Sequence, residues 1–312
     1  MPQQRPCVPA STGSDAPGSD GPLAAGADFP RAARWDADAI LGQLARATGI
    51  ELVNAGGCRS GQIGACYVGW PDGHQSVLTC RPRGQLAAAR QAKALTAVGR
   101  AGGIPAPRYE LVAELPGATA IVQELLPGIP PAAVTRRTVE SMVEVNRHCR
   151  GLLANRSDLP APSLYLLADG PGFCLHGPMA VYDRRTTRLL QAVEEIGAAV
   201  PERLAGDDLV HFDFHPENVL VDASGTVTGV IDWDGASRSD GVLDLVTLQF
   251  DLARRAPRLG RWVGALLRDE CAGAVALACW AHMTLRLVDW SIRELTASDV
   301  SAWVRVAEEL MP

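Results

Sequence analysis

The stretch from residue 209 to residue 234 gathers carboxylate and amide side chains around one predicted β-hairpin. Two short apolar runs, 219–221 and 227–231, flank an Asp-Ala-Ser-Gly turn, which is typical of two antiparallel strands. Asn218 and Asp232 are equidistant from Gly225, so a turn centred on that glycine places them opposite each other at the open end of the hairpin. Asp213 lies in the loop just before the first strand. We therefore expect two carboxylates and one amide to converge.

This set of side chains suits Mg²⁺-assisted phosphoryl transfer. Mg²⁺ prefers one or two protein oxygens together with water and substrate phosphates, so Asn218 and Asp232 suffice as protein ligands. Asp213 is then free to orient an attacking hydroxyl and to accept its proton. The spacing predicts a base and a metal pair in one loop and hairpin.

A metal triad is the alternative for the same stretch. His211, Asp213 and His215 alternate along the chain, and alternate residues of a strand point the same way. However, phenylalanines interleave with them, Pro216 ends any strand, and no further His or Cys cluster lies near. We favour the phosphoryl-transfer interpretation, in which His211 braces the loop and His215 is either a loop contact or exposed.

The two linked motifs resemble those of a known family. His-x-Asp-x-His-x-x-Asn-Val-Leu, followed by Ile-Asp-Trp-Asp, is similar to the catalytic and metal loops of the aminoglycoside phosphotransferase and choline kinase family. The resemblance implies an α+β, two-lobed protein-kinase-like fold with nucleotide bound between the lobes. It also implies that Asp244 supports the catalytic loop and that Asp234 belongs to the site, although a helix-cap role suits Asp244 equally well.

A glycine-rich turn precedes these motifs, between two predicted strands at 50–53 and 65–70. Gly56, Gly57, Gly61 and Gly64 would let backbone N–H groups approach phosphate oxygens without obstruction by side chains. Glycines are common in hairpins, so this pattern gains meaning only because the other motifs follow in the order of a kinase. We predict that Gly57, Gly61 and Gly64 contact the nucleotide.

The next strand, predicted at 76–81, lacks the lysine that the resemblance leads us to expect. Thr79 occupies the matching position, and Arg81, two residues on, points the same way and can supply a planar cation instead. The helix predicted at 86–101 has Gln91 where the family carries a paired glutamate. The absence of both the strand lysine and the helix glutamate is internally consistent, because a buried glutamate without its lysine would be costly.

Residues 121–128, Ile-Val-Gln-Glu-Leu-Leu-Pro-Gly, resemble the hinge between the two lobes. The resemblance implies that backbone groups of Glu124 and Leu125 bond the edge of an adenine or guanine, whereas an edge strand that ends in a turn fits the same residues. We predict a disordered tail at 1–30, a nucleotide-binding lobe at 31–128, and a catalytic and acceptor-binding lobe at 129–312. The tail is predicted from its richness in Pro, Gly, Ser and Ala.

Composition limits the class of protein. The net charge of −6 argues against a basic surface that binds nucleic acid, and no apolar run is long enough to span a membrane. The eight cysteines include no Cys-x-x-Cys pair, which favours reduced thiols. We therefore predict a cytoplasmic protein that has neither nucleic acid nor membrane as a partner.

These observations favour a small-molecule kinase. It would transfer the γ-phosphoryl group of ATP or GTP, with Mg²⁺ as cofactor, to a hydroxyl of an antibiotic or related secondary metabolite. The alternatives are a weak or inactive nucleotide-binding pseudokinase and a primary-metabolite kinase of the choline or homoserine type. A protein kinase is disfavoured, because no Asp-Phe-Gly is followed by Ala-Pro-Glu.

Overall fold

The computed structural model describes residues 36–57, 65–271 and 273–311. Its N-terminal part is an antiparallel five-stranded sheet with the order β1-β2-β3-β5-β4. The strands are β1 (Val53–Gly57), β2 (Ala65–Gly69), β3 (Gln75–Pro82), β4 (Tyr109–Glu114) and β5 (Ala118–Glu124), and the helices are α1 (Ala37–Thr48) and α2 (Leu86–Ala101). The tail predicted at 1–30 lies outside the described residues.

The two faces of β3 bury different side chains. Leu78 and Cys80 are buried with Leu41 and Leu44 of α1 in one apolar cluster. Thr79 and its neighbours at odd positions are half-buried on the opposite face. Because successive side chains of a strand point to opposite faces, the odd positions of β3 lie on the side of the sheet away from α1.

The C-terminal part is mainly helical and shares one large apolar core. Its helices are α3 (Arg136–His148), α4 (His176–Tyr182), α5 (Arg184–Ala199), α6 (Val242–Arg255), α7 (Pro257–Glu270), α8 (Gly273–Glu294) and α9 (Ala297–Glu309). Two short antiparallel pairs, β6 (Asp208–Val210) with β9 (Ser237–Ser239) and β7 (Val219–Val221) with β8 (Val227–Val230), carry the segments of the predicted site. The α+β fold class is thus confirmed. None of the described helices is long and apolar enough to cross a membrane.

Three predicted boundaries need correction. The first strand begins at Val53 rather than at residue 50, because Gly49 ends α1 in the left-handed conformation and the amide of Ile50 bonds Thr48 Oγ1 at 3.2 Å. The apolar periodicity of the sequence predicts a helix at 137–154, whereas α3 ends at His148. The sequence also predicts a helix at 259–287 broken at Gly264 or Gly273, and the structure has two helices there, the second of which begins at Gly273.

Candidate active site

The hairpin β7–β8 forms around the predicted turn. Asp222 Oδ1 accepts the amides of Ser224 and Thr226 at 2.9 and 3.0 Å, and Gly225 has a φ of +83°, which glycine adopts without strain. The turn centres on Ser224 rather than on Gly225, and an irregularity between Leu220 and Val221 moves the pairing beyond it by one residue, so the carbonyl of Asn218 accepts the amide of Ile231 at 2.9 Å. The predicted pairing of Asn218 with Asp232 is therefore one residue out.

The loop before the hairpin is held from beneath by a buried carboxylate. Asp244, in the first turn of α6, accepts the amides of His211 at 2.8 Å and Phe212 at 2.9 Å. His211 is buried, and its Nε2 bonds the carbonyl of Ile231 at 2.8 Å. Phe212 has a φ of +70°, a strained conformation that these bonds maintain. These contacts hold the backbone immediately before Asp213 in a fixed position.

Asp213 presents its two oxygens to different partners. Oδ2 accepts Asn218 Nδ2 at 3.1 Å and lies 3.4 Å from His215 Nε2, while Oδ1 lies 3.3 Å from Arg286 Nη2. Burial alone raises the pKa of Asp213, but the hydrogen bond with His215 and the charge of Arg286 hold that pKa well below its usual range. The carboxylate is thus ionised at neutral pH. Oδ1 keeps room to accept the proton of a hydroxyl.

Arg286 is a site residue that the sequence reasoning missed. It lies on α8, and besides Asp213 it bonds the carbonyl of Phe212 at 2.6 Å. On the same helix, Asp289 is fully buried and paired with Arg293 at 3.2 Å. An arginine within the largely apolar run 275–288 is the signal that would have identified Arg286.

Asn218 and Asp232 fit the demands of Mg²⁺ as a donor set. The described hydrogen bonds of the Asn218 side chain, to the carbonyl and carboxylate of Asp213 and to His215, all use Nδ2, which leaves Oδ1 as a hard oxygen ligand. Asp232 has a half-exposed carboxylate. In the part of the chain that is described, no three His, Cys, Asp or Glu side chains converge as metal ligands. The alternative metal triad of His211, Asp213 and His215 is disfavoured, because Nε2 of His211 is bonded to the carbonyl of Ile231.

Arg81 reaches the Asp232 end of the hairpin from β3. Its Nη2 lies 3.1 Å from Asp232 Oδ1, and its Nε contacts Asp234 Oδ2. Gln91, at the position expected for the paired glutamate, is exposed on α2. The buried face of α2 instead carries Ala89 and Ala92.

The other residues predicted to contact the nucleotide lie in the glycine-rich turn and in the segment after β5. Gly57 is exposed at the end of β1, and Gly61 and Gly64 lie outside the described residues. The amide of Glu124 already donates to the carbonyl of Arg108 at 2.9 Å, so only its carbonyl remains to accept a bond. Leu125 follows β5 and is exposed.

The antiparallel sheet, the helical lobe and the Asp213–Asn218–Asp232 set together define a kinase-like phosphotransferase. The model of the phosphotransferase enzyme family matches residues 57–283, and the chain belongs to that family. It is therefore a kinase, as the resemblance of its motifs implied. A short match to the uncharacterized protein YcbJ of Bacillus subtilis (strain 168) is 44% identical over 41 residues, which is 13% of this chain and only 13% of that relative.

Solved structures share the fold at low identity. The aminoglycoside phosphotransferase APH(4)-Ia, bound to ADP and hygromycin B, is 16% identical with a TM-score of 0.60, and the match covers 88% of this chain and 98% of that one. The amicoumacin kinase hAmiN, with AMP-PNP, Ca²⁺ and Ami, is 12% identical with a TM-score of 0.60 over 89% and 95%. A putative fructosamine-3-kinase from Thermobifida fusca YX-ER1 is 17% identical with a TM-score of 0.56 over 88% and 100%.

Proposed function

We propose that this kinase transfers the γ-phosphoryl group of ATP or GTP to a hydroxyl of an antibiotic or a related secondary metabolite. The observation that carries the proposal is the contact of Asp213 with Asn218, beside the Asp232–Arg81 pair that joins the sheet to the loop after β8. The neighbours that bind ADP with hygromycin B, or AMP-PNP with Ami, support a nucleotide and an antibiotic as substrates.

Asp213 acts on the acceptor in this proposal. Its Oδ2 is engaged by Asn218 and His215, so the acceptor hydroxyl approaches Oδ1. The hydroxyl gives its proton to that atom as its oxygen bonds the γ-phosphorus, while the bond from the γ-phosphorus to the bridging oxygen breaks and the nucleoside diphosphate leaves. Arg286 borders Oδ1 and fixes the orientation of the carboxylate. The acceptor hydroxyl therefore meets Arg286 as well as the base.

Asn218 and Asp232 would hold Mg²⁺, which when bound neutralises charge on the β- and γ-phosphates. Arg81 would add a second positive charge at the same phosphates, and the backbones of Gly57 and Glu124 border the nucleotide. Positioning and charge neutralisation supply most of what phosphoryl transfer requires from a protein. The residues named here need only hold the two substrates in line.

The test is phosphoryl transfer by Asp213→Asn. Wild-type protein with Mg²⁺ and ATP, or GTP, is incubated with a panel of aminoglycosides, macrolides, nucleoside antibiotics, choline and homoserine, and products are identified by mass spectrometry. Asp213→Asn should lose about 10²- to 10⁴-fold in turnover, the usual contribution of a general base, and keep its nucleotide affinity. Asp158→Asn, an exposed carboxylate paired only with Arg156, is the matched control. Full turnover by Asp213→Asn would refute the role of this residue.

A further inference from the structure

One arginine joins the sheet to the loop that carries the metal ligand. Arg81 leaves the end of β3 on the face away from α1, and its side chain is only 14% exposed. It meets two carboxylates that lie two residues apart in sequence, Asp232 through Nη2 and Asp234 through Nε. A guanidinium that bridges two carboxylates in this way is held in one orientation.

The backbone after β8 explains why both carboxylates face the same arginine. Asp232 has a φ of +65°, and a single 3₁₀ turn, Trp233–Gly235, follows it. The indole of Trp233 is buried, donates from Nε1 to the carbonyl of Val230 at 2.8 Å, and meets the ring of His211 edge-on at 4.8 Å. Because Trp233 occupies the buried side of the turn, Asp232 and Asp234 lie on the side that faces Arg81.

The helix that packs on this sheet supplies no counter-charge for Arg81. The buried side chains of α2 include Ala89 and Ala92, which pack with Tyr109 and Ile121, while Gln91 is exposed. Within the described ranges, the ion pairs of Arg81 are those with Asp232 and Asp234. In the described part of the chain, the residues that hold this cation therefore come from the loop after β8 rather than from α2.

We propose that Asp234 is the positioning residue that holds Arg81 for the nucleotide phosphates. The inference rests on the proposed function, since it assigns Arg81 to a phosphate group. Asp234 engages Nε, the inner nitrogen, whereas Asp232 engages the terminal Nη2 and is the more exposed of the two carboxylates. When Asp232 serves as a metal ligand, both terminal nitrogens of Arg81 become available as a fork for phosphate oxygens. Asp234 remains as the anchor.

Three other roles for Asp234 make different predictions. As a second metal ligand, it would affect nucleotide affinity only when Mg²⁺ is present. As part of a purely structural ion pair between sheet and loop, it would affect thermal stability and leave the nucleotide affinity unchanged. A third role, in which Asp234 competes with phosphates for Arg81, would make its removal tighten nucleotide binding.

The experiment measures the binding of ATP, GTP and their nucleosides by calorimetry, in Mg²⁺ and again in EDTA. Four full-length proteins are compared: wild type, Asp234→Asn, Arg81→Gln and the double variant. Asp234→Asn should weaken triphosphate binding about tenfold to a hundredfold, the effect of one charge-assisted hydrogen bond, and leave nucleoside binding unchanged. The loss should persist in EDTA. In the Arg81→Gln background the same change should have no further effect, because Asp234 acts through Arg81.

Other results would overturn the inference. An effect of Asp234→Asn that disappears in EDTA would make Asp234 a metal ligand, and additive losses in the double variant would separate it from Arg81. Unchanged or tighter triphosphate binding would also refute an anchoring role. Arg81→Lys, which keeps the charge but lacks the fork, should recover only part of the affinity. A wild-type protein that binds triphosphate but phosphorylates no acceptor would refute the proposed function alone.

Discussion

Asp244→Asn tests how the catalytic loop is supported. Asp244 is 3% exposed and accepts the backbone amides of His211 and Phe212. Burial raises the pKa of this carboxyl to about 7; the two hydrogen bonds oppose the shift, the charge of Asp213 adds to it, and the charge of Arg286 opposes it. Asparagine keeps the size of the side chain and removes the charge.

The sign of the pH effect follows from the raised pKa of Asp244. In the unfolded chain an aspartate has a pKa of about 4, so between about pH 4 and pH 7 the folded state binds the proton and the unfolded state releases it. The contribution of this group to stability is therefore greatest at low pH and falls as pH rises. The fall is about 1.4 kcal/mol per pH unit, or about 4 kcal/mol in total.

Urea unfolding of wild type and Asp244→Asn at pH 5, 6, 7 and 8 measures this contribution. As pH rises from 5 to 8, the free energy of unfolding of wild type should fall by about 2–4 kcal/mol relative to that of Asp244→Asn. Asp222→Asn is the matched control, because hydrogen bonds in the turn lower the pKa of the exposed Asp222 and keep it ionised across this range. Parallel pH profiles for wild type and Asp244→Asn would refute the reasoning.

Three further changes test other parts of the site. Arg286→Gln should lower kcat/KM about tenfold to a hundredfold, because Asp213 loses a charge-assisted partner, and unchanged steady-state kinetics would contradict this. Asn218→Ala should raise the Mg²⁺ concentration for half-maximal activity at least about tenfold, since one of two protein ligands is lost, and an unshifted Mg²⁺ titration would exclude a ligand role. Gly128→Ala should lower the free energy of unfolding by about 2–4 kcal/mol, because φ is +105° and a Cβ would overlap Thr228 Oγ1. Gly103→Ala, also at positive φ but facing open space, should cost only about 1 kcal/mol in the same unfolding assay, and equal losses would count against the overlap.

Local sequence patterns predicted the elements around the site closely. Helix α2 has the predicted bounds, 86–101, and the sequence also predicts a strand at 118–124, which are the bounds of β5. The hairpin was also predicted, because its turn and its two apolar runs lie within a dozen or so residues. Such features depend on neighbours along the chain, and a single sequence records those neighbours directly.

Positions that depend on packing between elements were predicted less well. Gln91 is exposed on α2, because the rotation of a helix about its axis is decided by the side chains that pack beneath it. Small residues, Ala89 and Ala92, form that contact with Tyr109 and Ile121. The turn of the hairpin centres on Ser224 rather than on Gly225, and the irregularity between Leu220 and Val221 recovers one residue of that shift, so Asn218 pairs with Ile231.

The sequence by itself determined which groups are available for the chemistry: Asp213, Asn218 and Asp232 in one short stretch, and one cation on β3. Only the tertiary structure decided their partners. Arg286 meets Asp213 from 73 residues away, and Arg81 meets Asp232 from 151 residues away. Contacts at such separations arise from how helices and strands pack against each other, and no local pattern of residue types encodes that arrangement.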